Sequence, residues 1–540
     1  MYVLGINGGL RPGHSEISSA LIHNGRVVSA IEEERLNRIK HTAFQLPELS
    51  IHFVLNSQKI TMHDVDYIAS HGITRGDGYV KQLKGFIEGN FGYCPPIEMV
   101  HHHDAHGAST YYASGFDEAM IISMDASGDS CSTELSVGKG KNIDVIERYE
   151  RQNSVGIFYS MITQYCGFER SSGEYKLMGL ASYGDRKKFD FNDILRFENG
   201  KIFFNTDYIK PIIPSQPQVH KQEFNFSEKL VEKFGKHRIK TEPITQRYKD
   251  IAASCQQQLE KVVTELITNF HETTGLRKLC LAGGVALNCV VNQRLMDLEF
   301  IDDIYIQPAS GDSGISLGAA YLVAKKHDDV PCPMETIYLG SEYSNDIIKS
   351  SLDAVMVSYE YIDDPDVVAA DRVSQNKVVG WFQGKMELGP RALGNRSILA
   401  NPMNSSMKDI VNQKIKFRES FRPFCPSVLE EEFENYFSGK KKTSPYMTIT
   451  YDVKESAIEK IPAVTHVDNT ARIQTVNKIQ NELFYNYLLA LKKIIGIGVS
   501  LNTSFNISNQ PIVNTPIEAI STFFGTGMDC LVIGNYLLEK

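Results

Sequence analysis

Residues 278–297 read KLCLAGGVALNCVVNQRLMD, and residues 310–326 read SGDSGISLGAAYLVAKK. The first is a short apolar run, a Gly283-Gly284 turn and then apolar positions at helical spacing. The second places glycines around Asp312 and then enters a helix. Such turns expose carboxylates and backbone N–H groups at the end of a sheet, where phosphates and metals bind. Upstream, AMIISMDASGD (119–129) has the same form, with Asp125 and Gly128 after an apolar strand candidate. The opening reads strand, turn, strand, turn, strand in YVLGIN, SALIHN and RVVSAIEEE. The pair Asn24-Gly25 is a two-residue hairpin signal. VDYIASH and KNIDVIERY are further strand candidates. QRYKDIAASCQQQLEKVVTELITNFHETT predicts a helix over 246–274 that Gly275 stops.

A hairpin-led sheet, an acidic glycine turn and then helices therefore occur twice. This predicts an α/β fold of the ASKHA type, the actin and sugar-kinase architecture, in which two related lobes clamp a nucleotide. Gly283, Gly284 and Asn288 of AGGVALN would sit under the adenosine, with Gly128 in the matching turn.

The chain has 540 residues, too many for one core, so two or three domains are expected. Composition shifts at DDVPCPMETIYLGSEYSND (328–346), which sets domains at 1–345 and 346–540, the second a new α/β unit. The polar, proline-bearing stretch 185–246 reads as an insertion or lid. A net charge of −9 argues against broad nucleic-acid binding, which needs a basic footprint. No apolar run reaches the roughly 18 to 20 residues of a membrane span. The start MYVLGINGG lacks a basic n-region, which argues against a secretory signal. The nine cysteines have no CxxC pair and read as reduced thiols of a cytoplasmic protein.

His102 and His106 stand four apart in HHHDAHGAST, so a helix there puts both imidazoles on one face. With Asp125 and Asp312 they make two imidazoles and two carboxylates, a set that suits iron, manganese or zinc. A histidine triplet also occurs as a surface cluster, and either aspartate alone fits a loop. The repeated acidic glycine turn favours the metal. A metal beside such turns points to transfer chemistry on a phosphate-derived substrate.

The C-terminal third carries cations among Gly-Pro turns and apolar runs: WFQGKMELGPRALGNRSILANP (381–402), VNQKIKFRESFRPFCPS (411–427) and THVDNTARIQTV (465–476). Lys385, Arg391, Arg396, Lys416, Arg418, Arg422 and Arg472 belong to these segments. Buried cations need anionic partners, and the arginine fork suits phosphate. An internal ion-pair network with Glu387, Glu419 and Glu430 is the competing explanation. Ser504 and Asn506 in LNTSFN add neutral donors after the apolar run IIGIGVSLN.

With these motifs in order, the chain resembles the O-carbamoyltransferase family that includes nodulation protein U and the cephamycin and tobramycin carbamoyltransferases. The resemblance rests on LGINGG with His14, AIEEERLNRIKH, HHHDAH, MDASGD, GEYKLMGLASYG, AGGVALN, SGDSGISLGAA, GPRALGNRS, KFRESFRPF, DNTARIQTV and NTSFN, and it spans nearly the whole chain. It implies an N-terminal domain like the tRNA threonylcarbamoyl transferase with bound iron, Fe(II), and a YrdC-like C-terminal domain. It implies that carbamoyl phosphate and ATP, with Mg(II), give carbamoyl-adenylate and pyrophosphate. The carbamoyl group then passes to a hydroxyl of a small-molecule, natural-product acceptor. His14 matches a histidine near the acceptor and is a general-base candidate. Lys416, Arg418 and Arg422 match the adenylate-forming site. Lys176, Arg391, Arg396, Arg472, Tyr446, Met447, Ser504 and Asn506 match nucleotide contacts. The family's H-D-A-S-A-A-L is here His14-Ser15-Glu16-Ile17-Ser18-Ser19-Ala20-Leu21, one residue longer and without the Asp. Two other functions use similar parts: a tRNA threonylcarbamoyl transferase fused to its synthase, and a non-enzymatic nucleotide-binding regulator. The net acidity opposes the first. The C-terminal arginines are unexplained by the second.

Overall fold

The computed structural model, which describes residues 1–9, 16–42, 45–210 and 225–540, builds the first part of the chain on two five-stranded sheets with one shared topology. The first sheet runs Arg26–Glu32, Ser18–His23, Tyr2–Asn7, Tyr67–His71, Ile97–Val100. Its central strand Tyr2–Asn7 pairs antiparallel with Ser18–His23 and parallel with Tyr67–His71, which pairs parallel with Ile97–Val100. The second runs Asn142–Glu150, Cys131–Lys139, Glu118–Gly128, Lys278–Ala282, Asp303–Ile306. Glu118–Gly128 pairs antiparallel with Cys131–Lys139 and parallel with Lys278–Ala282, which pairs parallel with Asp303–Ile306. The doubled pattern legible in the sequence is thus a doubled sheet. At Asn24 (φ 50°) and Gly25 (φ 73°) both residues are left-handed, as a tight primed hairpin turn requires.

Helices His102–Ser114 and Ile315–Lys326 pack against each other with almost no space between backbones. A Cβ on Gly318 would lie 1.7 Å from the Ala105 carbonyl oxygen, and one on Gly5 would lie 1.8 Å from that of Ser316. Glycine at these positions lets the second helix seat on the first and on strand Tyr2–Asn7. Helix Gln246–Thr274 has the expected bounds, and Gly275 (φ 69°) closes it by donating its N–H to the His271 carbonyl. Within 185–246, the described residues form a hairpin of Leu195–Glu198 with Lys201–Phe204 and a helix Glu228–Phe234. Phe191 and Phe204 meet Phe158 edge-on at 5.7 and 6.2 Å. This part is therefore anchored by aromatic packing. Most of the proline-bearing tract (211–224) lies outside the described residues.

The chain divides into Met1–Val28 with His41–Met334, and Ser29–Lys40 with Glu335–Lys540. The boundary expected after residue 345 thus falls about ten residues earlier, and an N-terminal segment belongs to the second unit. Backbone pairing explains the first difference: Gly340 N–H donates to the Met386 carbonyl at 3.0 Å, and Leu388 N–H to that of Ile337 at 2.9 Å. Clamping by two arginines explains the second. Gly389 N–H donates to Glu32 at 2.7 Å while Arg35 donates to the Gly389 carbonyl at 3.0 Å. Arg38 donates to the carbonyls of Ile512 and Pro511 at 2.6 and 2.9 Å.

The second unit has a mixed eight-stranded sheet, with Val379–Phe382, Arg396–Ala400 and Val499–Ser504 at its centre. Trp381 is fully buried there and donates Nε1–H to the Gly394 carbonyl at 2.7 Å. Phe484, Tyr487, Leu488 and Leu491 of helix Glu482–Ile495 pack over it. A second sheet of Phe437–Ser438, Thr450–Val453 and Thr470–Arg472 carries Arg472 on its last strand.

Candidate metal centre and anion site

His102 and His106 both lie in helix His102–Ser114, four apart on the buried face. Asp125 departs from its predicted place in a turn. The strand continues to Gly128, and its pairing shifts register between Met124 and Gly128. Such an irregularity re-aims a side chain, here toward the histidines. Asp312 opens the turn before helix Ile315–Lys326. The His102 Nε2 lies 3.5 Å from Asp125 Oδ2 and 3.9 Å from Asp312 Oδ1. The His106 Nε2 lies 3.5 and 3.7 Å from the same oxygens.

The electrostatics of this cage test whether a metal fits. Both Nε2 atoms are buried without a hydrogen-bond partner, and an unsatisfied buried polar atom costs about 1 to 3 kcal/mol. Two carboxylates also converge on one point, which demands positive charge. Burial disfavours charge on His106, yet the close carboxylates of Asp125 and Asp312 prevail and raise it to about 9. Burial likewise opposes ionised Asp125, but the two histidines hold it well below the usual carboxylate range. A divalent cation satisfies both nitrogens and both charges at once, so the residues fit one.

The surrounding glycines serve this cage. A Cβ on Gly128 would lie 2.0 Å from the His102 ring, one on Gly283 2.1 Å from the Met124 carbonyl oxygen, and one on Gly284 3.1 Å from Asp125 Oδ1. Gly283 moreover has φ 86°. The sequence assigned these glycines to nucleotide; the geometry gives them a steric reason in the cage itself. Gly128→Ala is expected to displace the His102 ring and weaken Mn(II) binding at least about tenfold, the scale of lost ligand orientation. Competitive chelator titration checks this, and wild-type affinity would contradict it.

Asn288 is likewise accounted for locally. Its Oδ1 accepts from Val291 N–H at 3.2 Å, capping helix Cys289–Met296, and its Nδ2 donates to Gln256 at 2.9 Å. Lys176 lies in helix Glu174–Ala181 with its ammonium 6.0 Å from the Phe168 ring centre. His14 lies outside the described residues. Sequence reasoning missed His71, Asn7 and Asp129. Asp129 accepts from His102 N–H at 2.8 Å and Thr74 N–H at 3.0 Å. Asp129 stood in the quoted motif MDASGD, but nothing in the pattern separated its role from that of Asp125.

In the second unit, Lys416 ends a π-helical turn, Asn412–Lys416, and Phe417 follows with φ 48°. Both features are rare and cluster at functional sites. The buried Lys416 Nζ donates to the Ser504 carbonyl, to Ser504 Oγ at 3.2 Å and to Asn506 Oδ1 at 2.8 Å. The structure therefore joins three residues named separately from sequence. Burial, then the charges of Arg418, Arg422 and Lys40, push Lys416 well below the usual lysine range. Three cations gathered around a buried lysine make a setting that favours an anion.

Arg418 donates to Asn412 Oδ1 at 2.6 Å and the Pro423 carbonyl at 3.2 Å, and stacks 4.5 Å over Phe424. Arg422 approaches Glu419 at 3.8 Å, an ion pair of the kind the alternative expects. Glu387 instead accepts from the backbone N–H groups of Leu393, Asn395 and Arg396. Glu430 faces Thr475 and Asn477.

Arg396 differs from its expected nucleotide role. It is fully buried, and its guanidinium donates to the carbonyls of Gln383, Gly384, Asn395 and Ser341 at 2.6 to 3.1 Å. It braces the turn. Arg391 is half-buried two residues after Gly389. Arg472 points two nitrogens at Cys425 Sγ, 3.1 and 2.9 Å away. Tyr446 lines a small open cleft with Tyr338, Gln474 and Asn481, while Met447 is buried with φ 55°. All nine cysteines are free thiols, and no described helix is long and apolar enough to cross a membrane.

Residues 87–321 match the family model described as the carbamoyltransferase N-terminus, and residues 370–540 match the carbamoyltransferase C-terminus. Nodulation protein NolNO of Sinorhizobium fredii is 35% identical, aligned over 100% of this chain and 83% of that protein. Uncharacterized protein sll1178 of Synechocystis is 38% identical over 98% of this chain and 96% of its own length. Uncharacterized protein MJ1051 of Methanocaldococcus jannaschii is 32% identical over 98% and 99%. Among solved structures, full-length HypF in the phosphate- and nucleotide-bound form covers 60% of this chain and 55% of its own at 16% identity, with a TM-score of 0.34. Matched along both halves and aligned end to end with such relatives, the chain is an enzyme of the carbamoyltransferase family.

Proposed function

We propose that the protein is an ATP-dependent O-carbamoyltransferase that works through carbamoyl-adenylate. The observation that supports this best is the buried Lys416 Nζ, held on Ser504 and Asn506 with the cations Arg418, Arg422 and Lys40 as neighbouring charges. Such a cluster suits a substrate pair as anionic as carbamoyl phosphate and ATP with Mg(II). In the balanced reaction, water releases phosphate from carbamoyl phosphate. A carbamate oxygen then attacks the α-phosphorus of ATP, and pyrophosphate leaves. Lys416, Arg418 and Arg422 would hold the phosphate oxygens where negative charge grows, so little reorganisation is needed at the moment of reaction. Ser504 and Asn506 orient the lysine. Tyr446 and its cleft are the proposed neighbours of the nucleotide, with Arg391 and Arg472 nearby in sequence motifs of the same kind. The mixed sheet is proposed to be YrdC-like.

The carbamoyl group then passes to a hydroxyl of a small-molecule acceptor, with AMP as leaving group. His102, His106, Asp125 and Asp312 would hold a divalent metal, proposed as Fe(II), in the first unit. When bound, that metal supplies Lewis-acid polarisation of the carbamoyl carbonyl. His14 is the proposed base for the acceptor hydroxyl, and Lys176 a proposed nucleotide contact. Natural-product tailoring, as in antibiotic biosynthesis, is the proposed setting, and the free thiols favour a cytoplasmic one. Incubation with ATP and carbamoyl phosphate is expected to yield AMP and pyrophosphate. ADP as the product, or no dependence on carbamoyl phosphate, would overturn the reading.

A further inference from the structure

Asn7, His71 and His102 form a buried chain that ends at the cage. Asn7 Nδ2 donates to the carbonyls of Asp312 at 2.8 Å and Glu16 at 3.0 Å. A carbonyl oxygen only accepts, so the amide orientation is fixed and Asn7 Oδ1 faces His71. That oxygen lies 2.8 Å from His71 Nε2 and also only accepts, so Nε2 carries the proton. A neutral imidazole has a single N–H, which leaves a lone pair on His71 Nδ1. His102 Nδ1 lies 3.2 Å from it and must donate. The other nitrogen of His102, Nε2, is then unprotonated. It is the same buried, partnerless atom that sits 3.5 Å from Asp125.

We infer that Asn7 and His71 are positioning residues that fix the tautomer of His102, so that an unprotonated Nε2 faces a divalent cation in the cage. The inference rests on reading the four residues as a metal centre. It gives Asn7 two tasks, since the same side chain holds the backbone of Asp312. Acceptors behind a metal-bound imidazole, which take its second N–H, orient the ring and raise its basicity. One contact opposes the arrangement: Arg75 Nη2 lies 3.4 Å from His71 Nε2 and is itself a donor. Were it to prevail, every proton in the chain would reverse and His102 would aim an N–H into the cage. The 2.8 Å contact with Asn7 is the shorter by far, and it decides the direction.

The test uses full-length protein with ¹⁵N-labelled histidine, loaded with Zn(II). The expected spectrum shows His71 protonated on Nε2 and bare on Nδ1. The reverse tautomer overturns the inference. In chelator competition, His71→Phe and Asn7→Leu are expected to weaken Zn(II) binding roughly 10- to 100-fold, while His71→Gln, which keeps an acceptor for His102, stays within about threefold. Unchanged affinity in folded His71→Phe, or an equal loss in His71→Gln, also overturns it. If a variant fails to fold by circular dichroism, the wild-type spectrum decides. Zn(II) binding that survives His106→Ala would instead sink the metal reading, while the spectrum still reports the direction of the chain.

Discussion

His106→Ala is expected to lose bound metal and carbamoyl transfer while keeping carbamoyl-phosphate-dependent adenylate formation. The ring is fully buried, and its Nε2 faces both Asp125 and Asp312. Without it, two carboxylates converge on one remaining imidazole. A three-ligand cage lacking one nitrogen should bind a divalent cation at least about 100-fold more weakly, beyond the range seen when only a supporting residue is removed. Adenylate formation should persist because the cation cluster belongs to the second unit. Elemental analysis of dialysed protein and ATP–pyrophosphate exchange give the two readouts. Wild-type metal content would remove His106 from the ligand set. Loss of exchange in a folded variant would contradict the division of labour.

Arg418→Ala is expected to reduce adenylate formation by about 10²- to 10³-fold, the scale of removing one preorganised donor to a charged transition state. Two hydrogen bonds and the Phe424 ring fix the guanidinium plane. That pre-set fork is what two phosphate oxygens need, so Arg418→Lys should restore little of the rate. The first unit should keep its metal. Wild-type exchange in Arg418→Ala would refute the role. Full rescue by lysine would reduce it to a simple point charge.

The doubled lobe was legible because each copy repeats the same apolar runs and acidic glycine turns, and Asn24-Gly25 and Gly275 mark their turns by backbone chemistry alone. The four-residue cage was legible from residue types and from one helical spacing. The bulge that aims Asp125 was not, since it depends on pairing with Cys131–Lys139. His71 was hidden for a similar reason: a histidine ending a strand reads as core until Asn7 and His102 arrive from elsewhere. Counting cations singled out Arg396 and Lys416 alike. Only tertiary structure separates a guanidinium with acids around it from an ammonium whose neighbouring charges are cations. The capture of Ser29–Lys40 by the second unit likewise depends on long-range contacts, those of Glu32, Arg35 and Arg38.

The central claim is that ATP is cleaved between its α- and β-phosphates to activate a carbamoyl group. Exchange of labelled pyrophosphate into ATP, with and without carbamoyl phosphate and with no acceptor present, tests it most directly. Exchange that requires carbamoyl phosphate is the result the account predicts. No exchange by folded, metal-loaded protein, or exchange indifferent to carbamoyl phosphate, would contradict it.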